Sequence, residues 1–244
     1  MPVIELVDVW RGFDGREVLR GLGLAVEPNE TLSIFGGSGA GKSVLLRLIA
    51  GLIKPDRGSI RVLGEDIVPL DEGALVPVRR RMGFVFQGAA LFDSLSVGEN
   101  VAYPMREHTR WPEEEIRARV ADRLTTVGLP GIEAYEPAAL SGGMKKRVGI
   151  ARALALAPEV VLYDEPTAGL DPANARMVSE LILTLKQQGG RSAVVVTHDL
   201  PCAFMISDRV AVLADGRIAA IGPPDEIRRS ELQEVQDFLG GVRR

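Results

Sequence analysis

Residues 3–10 and 18–26 are β-rich, their apolar side chains punctuated by Glu5, Asp8 and Arg20, and Gly12, Asp14 and Gly15 lie between the two segments. This pattern predicts an antiparallel hairpin. Thr31–Phe35 then reads as a short buried strand that runs directly into glycines and leads into Val44, Leu45, Leu46, Leu48 and Ile49 at helical spacing. Strand, glycine loop and helix therefore follow one another without a break. Apolar runs at 82–86, 160–163 and 193–197 predict further buried strands, and a final strand pair is expected within 210–221.

Between the strands, residues 113–127 carry a helical pattern bounded by a proline-bearing loop at 103–112 and a glycine turn at 128–131. The stretch from Gln87 to Leu140, about 87–140, accordingly reads as a helical insertion. A second helix is predicted over 172–188, with Asp171 as its N-cap, Pro172 at its first position, and Met177, Val178, Leu181, Ile182 and Leu185 on its core face. The basic run Lys145, Lys146 and Arg147, with Arg152, alternates with Val148, Ile150, Ala151 and Leu154. It reads as the exposed side of a buried helix, and Arg79, Arg80 and Arg81 read as another solvated face. The tail, about 222–244, is expected to be helical. The expected fold class is α/β: a mostly parallel sheet, an N-terminal antiparallel β subdomain and an inserted helical subdomain, within one domain spanning 1–244.

Bulk properties narrow the possible partners. With 244 residues, 46% of them hydrophobic, the chain can bury one substantial core. A net charge of -4 gives no general attraction for polyanions, so no nucleic-acid partner is expected. Cys202 is the only cysteine, which excludes an intramolecular disulfide framework and a thiolate metal cluster, and fits a reducing cytoplasm. The first residues lack a basic start and an apolar stretch, and no apolar run reaches the roughly 18 residues that span a bilayer. Any work at a membrane would need another anchor.

Gly36, Gly37, Ser38, Gly39, Ala40, Gly41, Lys42 and Ser43 match G-x-x-x-x-G-K-[ST], in which small residues let successive backbone N–H groups face phosphate oxygens. The helix behind adds its positive end, Lys42 is placed to reach the β- and γ-phosphates, and the Ser43 hydroxyl suits Mg²⁺. Asp164 and Glu165 end a buried strand, where ligands of open α/β sheets bind. Asp164 suits the metal, and Glu165 suits an attacking water. His198 ends the next apolar strand at the same edge, in position to sense a γ-phosphate, whereas His108 is assigned no role. Gln87 follows the strand at 82–86, and its amide could contact Mg²⁺ or the water. Phe13, in the early turn, could stack on an adenine ring or serve as a turn residue. Ser141, Gly142, Gly143 and Met144 form a second glycine turn of phosphate-binding type.

With these motifs in order, the chain resembles the ATP-binding-cassette (ABC) transporter ATPase subunits over nearly its full length. Phe13 corresponds to the A-loop, Gly36 to Ser43 to Walker A, Phe86 and Gln87 to the Q-loop, Leu140 to Met144 to the signature, Asp164 and Glu165 to Walker B, Ala168 to Asp171 to the D-loop, and His198 to the switch. Met144 stands where the family usually has glutamine. That LSGGM turn, together with residues 86–97 and 99–104, resembles the Mla/Mce branch of lipid-trafficking, toluene-tolerance-type ATPases.

The resemblance implies two copies face to face, each ATP held between one copy's Walker A loop and the other's signature turn. On this reading Glu165, His198, Lys42 and Gln87 are catalytic, while Ser43, Gln87 and Asp164 serve the metal. Phe13, Gly36 to Ser43 and Ser141 to Met144 bind nucleotide. It further implies an integral-membrane permease, an MCE-domain lipid-binding protein and a STAS-domain protein as partners. The expected location is the cytoplasmic face of the inner membrane. An ABC ATPase for another cargo and a soluble ATP-operated clamp without a permease are the alternatives.

Overall fold

The computed structural model describes residues 1–240. The chain opens with strands β1 (Ile4–Phe13) and β2 (Arg16–Val26), enters β3 (Thr31–Phe35) and passes through the glycine loop into helix α1 (Lys42–Ile49). Strands β4 (Arg57–Val62) and β5 (Glu65–Asp66), helix α2 (Glu72–Arg80) and strand β6 (Met82–Val85) follow. A helical stretch then holds α3 (Val97–His108), α4 (Glu113–Thr126) and α5 (Gly142–Ala153). The chain returns through β7 (Val160–Asp164), α6 (Pro172–Gln187), β8 (Ser192–Val196), α7 (Leu200–Ile206), β9 (Arg209–Ala214) and β10 (Arg217–Gly222), and runs into α8 (Pro224–Arg229) and α9 (Gln233–Gly240).

Two sheets result. The first, in the order β2-β1-β4-β5, is antiparallel, and the hairpin pairs Ile4 with Val26 and Phe13 with Arg16. The second has the order β10-β9-β3-β8-β7-β6 and is parallel except for the edge strand β10. Arg20 N–H donates to Gly216 O at 2.9 Å and joins the two sheets. The buried strands of the parallel sheet are apolar on both faces, as a sheet covered on both sides requires. Val160 and Leu162 of β7 face a core shared with α1 and the antiparallel sheet. Val161 and Tyr163 face the opposite core, built with α3, α4, α5 and α6. The two-residue strand period thus ties one strand to both halves of the molecule.

Several expectations are corrected. The loop read at 103–112 is helical as far as His108, so His108 closes α3 and does not lie in a loop. Pro104 does not break this helix. A capping box of Ser96 and Glu99 starts it, and buried Val97, Val101 and Met105 recur every four residues. Burial of that stripe outweighs the hydrogen bond lost at proline, a cost of about 3 kcal/mol. The segment after Gln87 is a series of turns as far as Ser96, so the helices begin well beyond Gln87.

The basic run is not a solvated face. Lys146 is only 5% exposed. The Arg147 guanidinium donates to Val127 O and Gly128 O, and that of Arg152 to Ala89 O and Ala90 O. Arg79 likewise donates to Ala50 O and Gly51 O while pairing with Glu72. These cations anchor helices to loop carbonyls that would otherwise lack partners. The tail forms two helices separated at Ser230 to Leu232, and its last residues, 241–244, lie outside the described residues.

Candidate ATP site

The glycine loop leaves β3 at the centre of the parallel sheet and ends at Gly41, whose φ of 104° lies in the region that glycine enters without a Cβ penalty. From there α1 starts at Lys42, so its free N–H groups open onto the loop. The Lys42 ammonium folds back along the loop, donating to Gly36 O at 2.7 Å and Gly37 O at 3.2 Å, with Glu165 Oε1 at 3.9 Å. Ser43 Oγ donates to Asp164 Oδ1 at 3.0 Å.

Strand β8 lies between β3 and β7, so the chain beyond its end stands between the glycine loop and the acidic pair. Glu165 is 8% exposed and held at φ 50°, a left-handed geometry that is strained for a residue with a side chain. Its N–H donates to Val196 O at 2.9 Å. Its carboxylate accepts from the His198 backbone N–H at 3.2 Å and lies 2.8 Å from His198 Nδ1. His198 itself is largely exposed, so the pair meets at a buried carboxylate and an open imidazole. A carboxylate fixed in this way can orient and deprotonate a water, and the imidazole beside it can donate to an anion.

Gly39, Gly41, Lys42, Ser43, Gln87, Glu165 and His198 line one open cavity of about 580 Å³. Phe13 lies apart from it, at the end of β1, with its ring beneath the Arg11 guanidinium at 4.5 Å and 41% exposed. Ser141, Gly142, Gly143 and Met144 do not line it either. They form the start of α5, where Ser141 Oγ accepts from Met144 N–H at 3.3 Å. Ser141 and Gly142 are exposed there, whereas Met144 packs against the helical core. A Cβ on Gly143 would stand 2.6 Å from Asn174 Oδ1, so any larger residue in the turn would have to displace the Asn174 side chain of α6. The two glycine turns expected to face phosphate thus stand at two separate places on one chain.

The site's donors also suit a divalent cation. The Ser43 hydroxyl and Asp164 carboxylate, with the Gln87 amide in the same cavity, form the hard-oxygen set that Mg²⁺ prefers. Among the described residues no group of three or more His, Cys, Asp or Glu side chains stands together. Ser43 and Asp164 therefore fit a Mg²⁺ that takes its other oxygens from phosphates and water.

Burial pushes the Asp164 carboxyl above its ordinary value, opposed by the Ser43 hydrogen bond and reinforced by the Glu165 charge. A raised folded-state pKa means that the stability Asp164 contributes is complete below its unfolded pKa and is lost as pH rises through the folded one. Asp164→Asn should therefore raise the melting temperature of the nucleotide-free protein at pH 8. The gain should shrink as pH falls toward the ordinary carboxylate range. Thermal unfolding of both proteins across pH checks this, and a gain independent of pH would contradict it.

Two links lie outside the expected site residues. Thr167 Oγ1 donates to Asp199 Oδ2 at 2.9 Å, and Asp199 Oδ1 accepts from Cys202 N–H at the start of α7, so the loop after Glu165 is tied to the segment after His198. Lys146 Nζ donates to Gln87 O and to Glu165 O, the latter at 3.0 Å. Its signal lay in the spacing Gly143, Lys146, Ile150, Leu154, a buried helical stripe that includes the lysine.

The family model for ABC transporters matches residues 19–168. Over 240 residues the chain is 38% identical to the "Probable ribonucleotide transport ATP-binding protein mkl" of Mycobacterium tuberculosis, covering 98% of this chain and 67% of that protein. It is 44% identical over 222 residues to the "Methionine import ATP-binding protein MetN" of Brucella abortus, covering 91% of this chain and 60% of that one. Among solved structures, the ATP-binding cassette MJ0796, in a dimeric post-hydrolysis state bound to ADP and Pi, superposes with a TM-score of 0.83 at 33% identity, covering 91% of this chain and 98% of that one. The cbiO1 protein of Clostridium perfringens, part of the ABC transporter complex cbiONQ, gives 0.86 at 30% identity, covering 99% and 97%. The chain belongs to the ABC transporter ATPase family. It is an ATP-binding subunit whose ATP hydrolysis is coupled to transport. Among the described residues no helix is long and apolar enough to cross a membrane.

Proposed function

We propose that the whole chain acts as one nucleotide-binding domain and works as a head-to-tail pair, with ATP bound between the glycine loop of one copy and the signature turn of the other. The observation that carries this reading is the division of the phosphate-binding groups. The cavity beside Lys42 and Glu165 lacks Ser141 and Gly142, which stand exposed at the N-terminus of α5. A helix N-terminus so placed complements an anion brought by another molecule. ATP then holds two copies together, and hydrolysis releases them.

In each site Lys42 and the loop amides hold the triphosphate, and Glu165 orients the attacking water and accepts its proton. The water oxygen bonds to the γ-phosphorus as the bond to the β-bridging oxygen breaks, leaving ADP and phosphate. His198 faces the γ-phosphate, and Phe13 stacks on the base. Mg²⁺, when bound at Ser43 and Asp164, supplies charge neutralisation at the phosphates. Dimerisation is tested by sizing the Glu165→Gln protein with and without ATP.

A second surface fits a membrane permease. Phe84, Phe86, Phe92, Tyr103, Pro104 and His108 line an apolar groove of about 600 Å³ between the sheet edge and α3. Phe84 and Phe86 stack at 4.3 Å, and Phe92 meets Tyr103 at 5.0 Å. Phe86, Phe92 and Tyr103 are each about 40% exposed, an aromatic density suited to a short amphipathic helix from the cytoplasmic side of a permease. Phe92→Asp should abolish copurification of the permease while leaving the basal ATPase of the isolated protein within about twofold. Retained copurification would count against this groove.

The cargo proposed is a phospholipid or another hydrophobic compound moved between bacterial membranes with an MCE-type system, including an MCE-domain protein and a STAS-domain protein. The LSGGM turn and residues 86–104 support this reading. Purification from native membranes with identification of bound partners and lipids tests it; recovery of a methionine or nucleotide importer instead would overturn it.

A further inference from the structure

Lys146 lies on α5 between the two faces that the composite-site reading uses, about 7.5 Å along the helix axis from Ser141. It is 5% exposed, and among the described residues no carboxylate stands within ion-pair distance of its ammonium. Its two acceptors are the main-chain carbonyls of Gln87 and Glu165. A buried ammonium without a direct ion pair is expensive even with the Glu165 and Asp164 charges nearby, and nothing about packing demands a lysine there, since Val148 and Ile150 fill neighbouring positions of the same helix with apolar groups. The two carbonyls belong to the segments that carry the proposed metal- or water-contacting amide and the proposed water-activating carboxylate. Glu165 also holds a left-handed backbone that needs outside support.

We propose that Lys146 is a positioning residue that fastens the signature helix to the backbone of Gln87 and Glu165. Movement of the signature turn against one nucleotide is thereby transmitted to the water-activating carboxylate at the other. This rests on the composite-site reading. Lys146 touches no nucleotide; it sets where Gln87 and Glu165 stand. Removing its donors releases both segments while leaving the glycine loop and Ser141 in place.

The test uses the full chain with its permease and compares Lys146→Met, which keeps the aliphatic bulk, with Lys146→Gln, which keeps two N–H donors on one nitrogen. K146M is expected to lower kcat about tenfold with KM for ATP within about twofold, whereas K146Q recovers to within about threefold of the parent. In the Glu165→Gln background, K146M should still form the ATP-dependent dimer. Failure of Glu165→Gln alone to dimerise would sink the composite-site reading, a separate result. A K146M kcat within about twofold of the parent would overturn the proposal. So would equal falls in both variants that track a loss of melting temperature. Should K146M not fold, K146Q decides: turnover within about threefold supports the assignment, and a larger fall at unchanged melting temperature overturns it.

Discussion

Glu165→Gln is expected to reduce ATP hydrolysis by at least about 100-fold and to convert the ATP-bound protein into a stable dimer. The substitution preserves volume, and an amide oxygen can still accept from the His198 backbone N–H, 3.2 Å away in the parent. What it removes is basicity at the carboxylate that lines the cavity beside Lys42. Binding groups are untouched, so nucleotide should accumulate unhydrolysed and keep the two copies together. Phosphate release and light scattering, with and without ATP, measure the two halves of this expectation. Parent-like hydrolysis would remove Glu165 from the chemistry.

Ser141→Arg should have a comparably large effect by a different route. Ser141 is exposed at the N-terminus of α5, and its hydroxyl accepts from Met144 N–H. Losing that cap costs about 1 kcal/mol, which the fold can absorb. A long cation at the turn, however, obstructs the close approach that a partner's nucleotide needs. Dimer closure should be lost and turnover should fall below about 1% of the parent, while ATP binding to the isolated subunit stays within about threefold. Binding by fluorescence titration and closure by sizing in the Glu165→Gln background separate the two. Unimpaired closure would contradict the division of the site between copies.

Much of the architecture was legible because local and global signals agreed. Thr31–Phe35 carries Leu32, Ile34 and Phe35 with only small hydroxyl residues between them and runs straight into glycines, and it forms a fully buried central strand. Asp171 and Pro172 mark the start of α6 to the residue. Elements were misread or missed where a residue's usual preference was overruled by its surroundings. Pro104 suggested a loop, yet burial of Val97, Val101 and Met105 carries α3 past it. The charge of Lys146 suggested solvent, yet carbonyls on two remote segments receive its protons. Helix α7 was hidden in a short apolar run with a proline at its start, and only the Asp199 cap marks it.

The candidate site divides in the same way. The cradle around Lys42 is written in contiguous residues, so its loop, helix and hydroxyl could be read together. The meeting of Glu165 with His198 depends on β7 and β8 lying side by side, which spacing alone does not specify. The contact of Lys146 with Gln87 and Glu165 joins segments far apart in sequence, and only the folded chain brings them into reach.

The central claim is that triphosphate is shared between unlike surfaces of two copies. A crystal structure of the Glu165→Gln protein with Mg²⁺ and ATP tests it most directly. The account predicts Ser141 Oγ of a second copy within about 3 Å of a γ-phosphate oxygen held by Lys42 of the first. A nucleotide fully enclosed by one chain, with Ser141 of every copy facing solvent, would contradict it.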